Sequence, residues 1–136
     1  MALRCSFRSK VALIILTAGV PRLLDACNEH RTMRIVFNAP VTLPDVALAP
    51  GTYVFELANP CGDPTIVRVL SADRSTVYFS GFTRAVPRPA GRRQQRVSFG
   101  EARAGRPVPI ATWYPVGDSS GRRFIYRERN GQSDSR

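Results

Sequence analysis

Histidine is nearly absent: His30 is the only one in 136 residues. A metal site built from several imidazoles is therefore excluded. A Ser-His-Asp or Cys-His arrangement would have to recruit that single residue, which lies beside the expected start of the exported chain. Cysteine numbers three, at Cys5, Cys27 and Cys61, and no C-x-x-C spacing occurs, so neither a zinc knuckle nor a thioredoxin-like redox site is supported. No G-x-G-x-x-G, P-loop or G-x-S-x-G elbow is present, and no D-x-D-x-D-G spacing marks a calcium loop. Lysine is as scarce as histidine. Lys10 stands alone, and arginine supplies the other 19 of the 20 basic residues against 10 acidic ones, for a net charge of +10. Arginine codons are GC-rich, so coding bias accounts for arginine over lysine. It does not account for the positive excess, which produces a real field.

Long apolar runs are missing too. The longest covers residues 11–20 (VALIILTAGV). As a helix it spans roughly 15 Å, half of a ~30 Å hydrocarbon core, which disfavours a spanning helix. Arg4, Arg8 and Lys10 precede it with no acidic residue, and Pro21 ends it. This is the layout of a secretory signal over residues 1–27, with the mature chain starting near Cys27 or Asn28. Leu24-Asp25-Ala26-Cys27 also resembles a bacterial lipoprotein processing box, in which Cys27 would carry the lipid, although Asp25 stands where small or apolar residues are usual. In an oxidising compartment Cys27 and Cys61 are free to pair; a turn cysteine left unpaired is the other reading of Cys61.

After residue 30 the pattern is short and extended. Hydrophobic residues make up 43% and charged residues 22%, which argues against wholesale disorder, while 10 glycines and 11 prolines put turn signals about every ten residues. Seven main strands are expected, over residues 32–38, 52–58, 65–71, 76–83, 96–101, 110–114 and 122–127, with a short edge pairing at 46–48. Met33, Ile35 and Phe37 share one face, as do Tyr53, Phe55 and Leu57. In the fourth strand Val77 and Phe79 are expected on one side and Tyr78, Ser80 and Phe82 on the other, with a bulge at Gly81. Pro50-Gly51 suits a type II turn, and residues 117–121 (GDSSG) suit a hairpin turn. Residues 84–95 read as a long Arg/Pro/Gly loop. The expectation is an all-β domain over residues 28–127, a small antiparallel sandwich or partly open barrel of about seven strands. A signal helix precedes it and a polar tail over residues 128–136 follows.

The segment Pro50-Gly51-Thr52-Tyr53-Val54-Phe55-Glu56-Leu57 carries a resemblance. With residues 34–40, Val67-Arg68-Val69, Trp113-Tyr114-Pro115-Val116-Gly117 and Phe124-Ile125-Tyr126, it resembles exported bacterial β-rich proteins of unassigned function that bear a P-G-x-Y-x-F-x-L strand. The Pro-Gly-Thr-Tyr piece alone is also similar to transthyretin-like modules of secreted proteins. The resemblance spans about residues 32–127 and implies an exported β-domain. It brings no catalytic residues, cofactor or metal with it.

The remaining chemistry is charge. Residues 84–106 hold Arg84, Arg88, Arg92, Arg93, Arg96, Arg103 and Arg106 against Glu101 alone. Beyond residue 27 there are sixteen basic and nine acidic residues, so nearly the whole excess sits in that stretch. The guanidinium fork matches carboxylate and phosphate oxygens, so these seven arginines form a candidate anion site. In an exported chain the available polyanions are lipid head groups, lipopolysaccharide and acidic polysaccharide; compartment argues against nucleic acid. Trp113, Tyr114 and Tyr126 are candidate ligand platforms or core residues. The leading expectation is a non-enzymatic, envelope-associated interaction module, periplasmic or extracellular. The alternative is a small hydrolase or carbohydrate-active enzyme, for which Asp45, Glu56 and Glu101 are the available carboxylates; separately, Asp63, Asp73 or Asp118 with loop carbonyls could serve calcium. A cytoplasmic nucleic-acid binder is a third reading, and it requires the N-terminus to be retained.

Overall fold

The computed structural model describes residues 31–128. The expected signal helix, the processing site at Cys27, His30 and all of the tail past Glu128 lie outside the described residues.

Nine strands follow in order: β1 (Met33–Phe37), β2 (Val41–Leu43), β3 (Val46–Leu48), β4 (Gly51–Leu57), β5 (Ile66–Ser71), β6 (Val77–Pro87), β7 (Val97–Phe99), β8 (Val108–Trp113) and β9 (Ser120–Phe124). No helix occurs among the described residues. The hydrogen-bonded path runs β1-β4-β5-β6-β9-β8-β2-β3, with β7 on β8, and it does not close into a barrel. Two expectations are corrected here. There are nine strands, not seven, because residues 41–48 form a hairpin of their own across Pro44-Asp45. The sheet is also mixed: β2 pairs β8 in parallel, Val41 with Val108 and Thr42 with Pro109. A three-residue strand followed at once by a tight turn can lie beside a distant strand in either direction, so nothing local decided this.

The core follows from alternation. Met33, Ile35 and Phe37 on β1 face Tyr53, Phe55 and Leu57 on β4, paired in register with Val67 and Val69 on β5. Val41, Leu43, Leu48, Ile110, Trp113 and Phe124 complete one cluster that draws on both ends of the path. Phe55 and Trp113 are wholly enclosed, with ring centroids 5.8 Å apart. Burying each such side chain contributes about 1.5–3 kcal/mol.

Two bulges reset the alternation. Leu70 pairs Val77 while Val69 pairs Phe79, so Tyr78 is the extra residue on β6. Val77 is thereby turned outward, Phe79 packs against the core, and Tyr78 meets the Tyr53 ring at 5.5 Å. The irregularity lies at Tyr78 and not at Gly81, and Val77 does not share the Phe79 side. On β8, Ser98 pairs Thr112 and Phe99 pairs Ile110, so Ala111 is extra and both Ile110 and Trp113 reach the core three residues apart. Gly51 also departs from expectation. The glycines at positive φ are Gly91, Gly105 and Gly117, so Pro50-Gly51 is not a type II turn but leads straight into β4, where the Tyr53 hydroxyl donates to the Ala49 carbonyl at 2.6 Å.

Two charged side chains are buried. Glu56 on β4 projects on the face opposite Phe55, and Arg122 on β9 projects inward beside Phe124. Arg122 plugs one end of the core. Its Nε donates to the Pro64 carbonyl at 2.7 Å, and Nη2 meets Asp118 Oδ2 at 2.9 Å. Asp118 also takes Arg31 at 2.7 Å, so the carboxylate in the β8–β9 turn pairs with two guanidiniums.

Candidate anion-binding surface

β6 is the longest strand because it has two partners in succession. Its first half pairs β5, and Thr83 to Pro87 pair β9. The expected loop over residues 84–95 therefore begins only after Pro87. This places Arg84 on a strand: an alternating segment rich in arginine and proline reads as loop, yet β9 supplies the ladder that holds it extended. The connector proper covers residues 88–96.

Arg88 organises that connector. Its Nη1 donates to the Arg93 carbonyl at 2.8 Å and the Gln95 carbonyl at 3.2 Å, Nη2 to Pro115 at 2.7 Å, and Nε to Asp118 at 3.2 Å. The guanidinium carbon lies 5.3 Å from the centroid of the Tyr114 ring. One cation thus ties the connector to the β8–β9 turn, using the fork that lysine lacks. Its donors face carbonyls, which leaves the anion chemistry to its neighbours. Beneath it, Gly121 lets the Tyr114 ring approach; a Cβ there would stand 2.6 Å from Tyr114 Cε1.

The remaining connector arginines, Arg92, Arg93 and Arg96, are exposed. Arg93 and Arg96 line a cleft of about 500 Å³ together with Gln94, Gln95 and Tyr114. The Arg96 carbonyl accepts the Tyr114 N–H at 2.8 Å, which fixes where that side chain leaves the backbone. No carboxylate lines this cleft, and residues 74–100 contain no acidic residue at all.

Arg103 and Arg106 stand elsewhere. They line a wider cleft of about 810 Å³ beside Asp45, Glu101, Tyr126 and Arg127. The seven expected arginines therefore separate into a strand position, a structural tie, a connector group and a second, charge-mixed cleft. Of the candidate platforms, Trp113 and Tyr114 are buried, and Trp113 belongs to the core. Tyr126 is about a third exposed, with its hydroxyl within 2.9 Å of the Thr42 carbonyl and 2.7 Å of the Ile110 carbonyl.

The acidic residues are mostly engaged in structure. Glu56 is held between Arg68 and Arg74. Asp63 accepts the Thr65 N–H at 2.9 Å and also the Thr65 hydroxyl; that hydroxyl, then the amide, holds its carboxyl below the usual range. Asp73 accepts from the Ser71 hydroxyl at 2.5 Å, the Ser75 hydroxyl at 2.7 Å and the Ser75 N–H at 3.1 Å, which brings its pKa down to about 2. Among the described residues no three or more His, Cys, Asp or Glu gather in one place. Asp45 and Glu101 line one cleft, but Glu56 does not join them.

Sequence reasoning missed Arg123, which stands directly opposite Arg84. The adjacent pair Arg122-Arg123 looks uniform in sequence. Alternation buries the first and exposes the second, and only the register with β6 shows what the second faces.

No family model matches the chain, and neither a curated protein nor a solved structure is found to be similar to it.

Proposed function

We propose that this chain is a non-enzymatic, exported β-domain that engages anionic partners through Arg92, Arg93 and Arg96 of the β6–β7 connector. One observation carries the reading. Arg88 spends its donors on main-chain carbonyls and so stiffens the connector, while Arg92 stays exposed and Arg93 and Arg96 stay exposed around a cleft with no carboxylate to neutralise them. Preorganised guanidiniums bind carboxylate or phosphate oxygens with less ordering cost than free ones. The leader-like N-terminus and the resemblance to exported β-rich proteins support an envelope setting. Lipid head groups, lipopolysaccharide and acidic polysaccharide are the partners with this chemistry there.

The hydrolase reading rests on Asp45 and Glu101, which share a cleft with Arg103 and Arg106. Both acids are exposed and share the cleft with basic side chains, which is not the buried apolar setting of a catalytic general acid.

The test replaces the connector arginines. R92S/R93S/R96S in the full chain should weaken retention on a carboxylate or phosphate matrix and leave the melting temperature within about 2 °C, because exposed side chains contribute little to stability. Unaltered retention rejects the reading. D45N/E101Q should change neither property.

A further inference from the structure

Arg84 on β6 and Arg123 on β9 are direct cross-strand partners in an antiparallel pair. Both side chains are exposed. Residues so placed have Cβ atoms about 5 Å apart, and like charges there oppose the pairing. No ion pair among the described residues reaches either guanidinium. The fold therefore carries two unneutralised cations, face to face, on the strand pair that links β5 and β6 to β8.

Thr112 stands across from Arg123 on β8, and large apolar groups flank both arginines along their own strands. Alternation puts Phe82 on the same face as Arg84 and Ile125 on the same face as Arg123, and these are 65% and 51% exposed. Ile66, the cross-strand partner of Phe82, extends this patch onto β5. The clefts described above are lined by other residues, and these exposed groups stand on the outer side of the strand pair. A face without concavity cannot enclose a small ligand. Two cations beside large exposed apolar groups match an extended surface with phosphates above an apolar layer. Guanidiniums bind the first, and Phe82 with Ile125 enters the second.

We propose that the outer face of β6 and β9 docks on an anionic lipid surface, with Arg84 and Arg123 on head-group phosphates and Phe82 and Ile125 at the acyl boundary. The connector arginines follow β6, which ends at Pro87, so separate substitutions test this docking and the connector reading.

The experiment uses the full chain carrying F82W, mixed with phosphatidylglycerol–phosphatidylcholine vesicles brominated in their acyl chains. The unsubstituted chain, whose single tryptophan is buried, supplies the background. Emission from position 82 reports that face alone, whatever residues 1–30 contribute. The expected result is a blue shift and bromine quenching on anionic vesicles. R84S/R123S in the same background should weaken the vesicle affinity read from that signal about 10–30-fold, as two surface arginines contribute. The melting temperature of that variant should hold or rise, since a like-charge contact is removed. R92S/R93S/R96S should leave the signal at position 82 in place. Absence of quenching overturns the proposal. So does equal quenching on pure phosphatidylcholine, quenching indifferent to Arg84 and Arg123, or docking that depends on the connector instead.

Discussion

Glu56 and Arg68 face each other across β4 and β5, with Oε1 and Nη2 2.7 Å apart. The carboxylate is all but enclosed, while the arginine is 38% exposed. The contact is at ion-pair distance without hydrogen-bond alignment, since Glu56 Oε1 accepts no hydrogen bond and Arg68 Nε is buried without an acceptor. Arg74 reaches the other oxygen from the β5–β6 turn, where its own backbone is left-handed at φ 64°. The asymmetry of burial decides which partner can be removed.

R68A leaves a buried carboxylate with Arg74 alone and should cost about 2–3 kcal/mol, while E56L returns both arginines to water and should be nearly neutral. Urea denaturation of both variants checks this. Equal losses would mean that the two charges are comparably solvated.

Arg88 should matter for order in the connector more than its own exposure suggests. R88A removes a charged donor set facing four carbonyls, worth about 2–3 kcal/mol in total because the carbonyls on the connector regain water. R88K should recover little, since an ammonium cannot span carbonyls on both sides of the fork. Limited trypsin digestion with mass analysis should show faster cleavage after Arg92 and Arg93 in both variants.

Gly121 is where the packing is closest. A methyl there would stand 2.6 Å from Tyr114 Cε1 and 2.7 Å from Thr112 Cγ2, and Arg88 limits how far the ring can withdraw. G121A should destabilise by about 1–3 kcal/mol, the usual penalty for overpacking. G121A with Y114A should recover part of that relative to Y114A alone, which a double-mutant cycle by thermal melting measures.

Acid and alkali should act through different groups. The serine donors hold the Asp73 carboxyl at about 2, below its ordinary 3.8, so its contribution is present above pH 3.8 and fades as pH falls toward 2. The melting-temperature gap between the unsubstituted chain and D73N should narrow over that window. Burial pushes the Tyr126 hydroxyl up to about 12 from 10.0, so its contribution is complete below pH 10 and fades as pH rises through 12. Tyr53 is raised as well, by burial first and by Tyr78 second. Phenolate absorbance should show Tyr126 ionising late, and the gap to Y126F should close over the same range.

The alternation in Met33–Phe37 and Gly51–Leu57 was enough to place β1, β4 and their shared core face before any fold was known. The β4–β5 hairpin and the edge strand at Val46–Leu48 were legible for the same reason: their turns and apolar faces lie within a few residues of each other. The bulges at Tyr78 and Ala111 were not legible. A bulge is a mismatch between two strands, and neither strand's own pattern contains it. Arg84 reads as a loop residue in the sequence because its partner strand lies some forty residues on.

Chain chemistry by itself determined that this protein is built of extended segments, that its apolar side chains alternate, and that positive charge crowds into residues 84–106. All three follow from properties a residue carries alone or shares with near neighbours. Tertiary pairing alone decided which arginines became a strut, a plug or a surface. Arg88 acquired its Pro115 carbonyl, Arg122 its Pro64 carbonyl, and Arg84 its unmatched neighbour Arg123 from segments folded back from elsewhere. The physical reason is that a guanidinium's role depends on which oxygens surround it, and long-range register sets those surroundings.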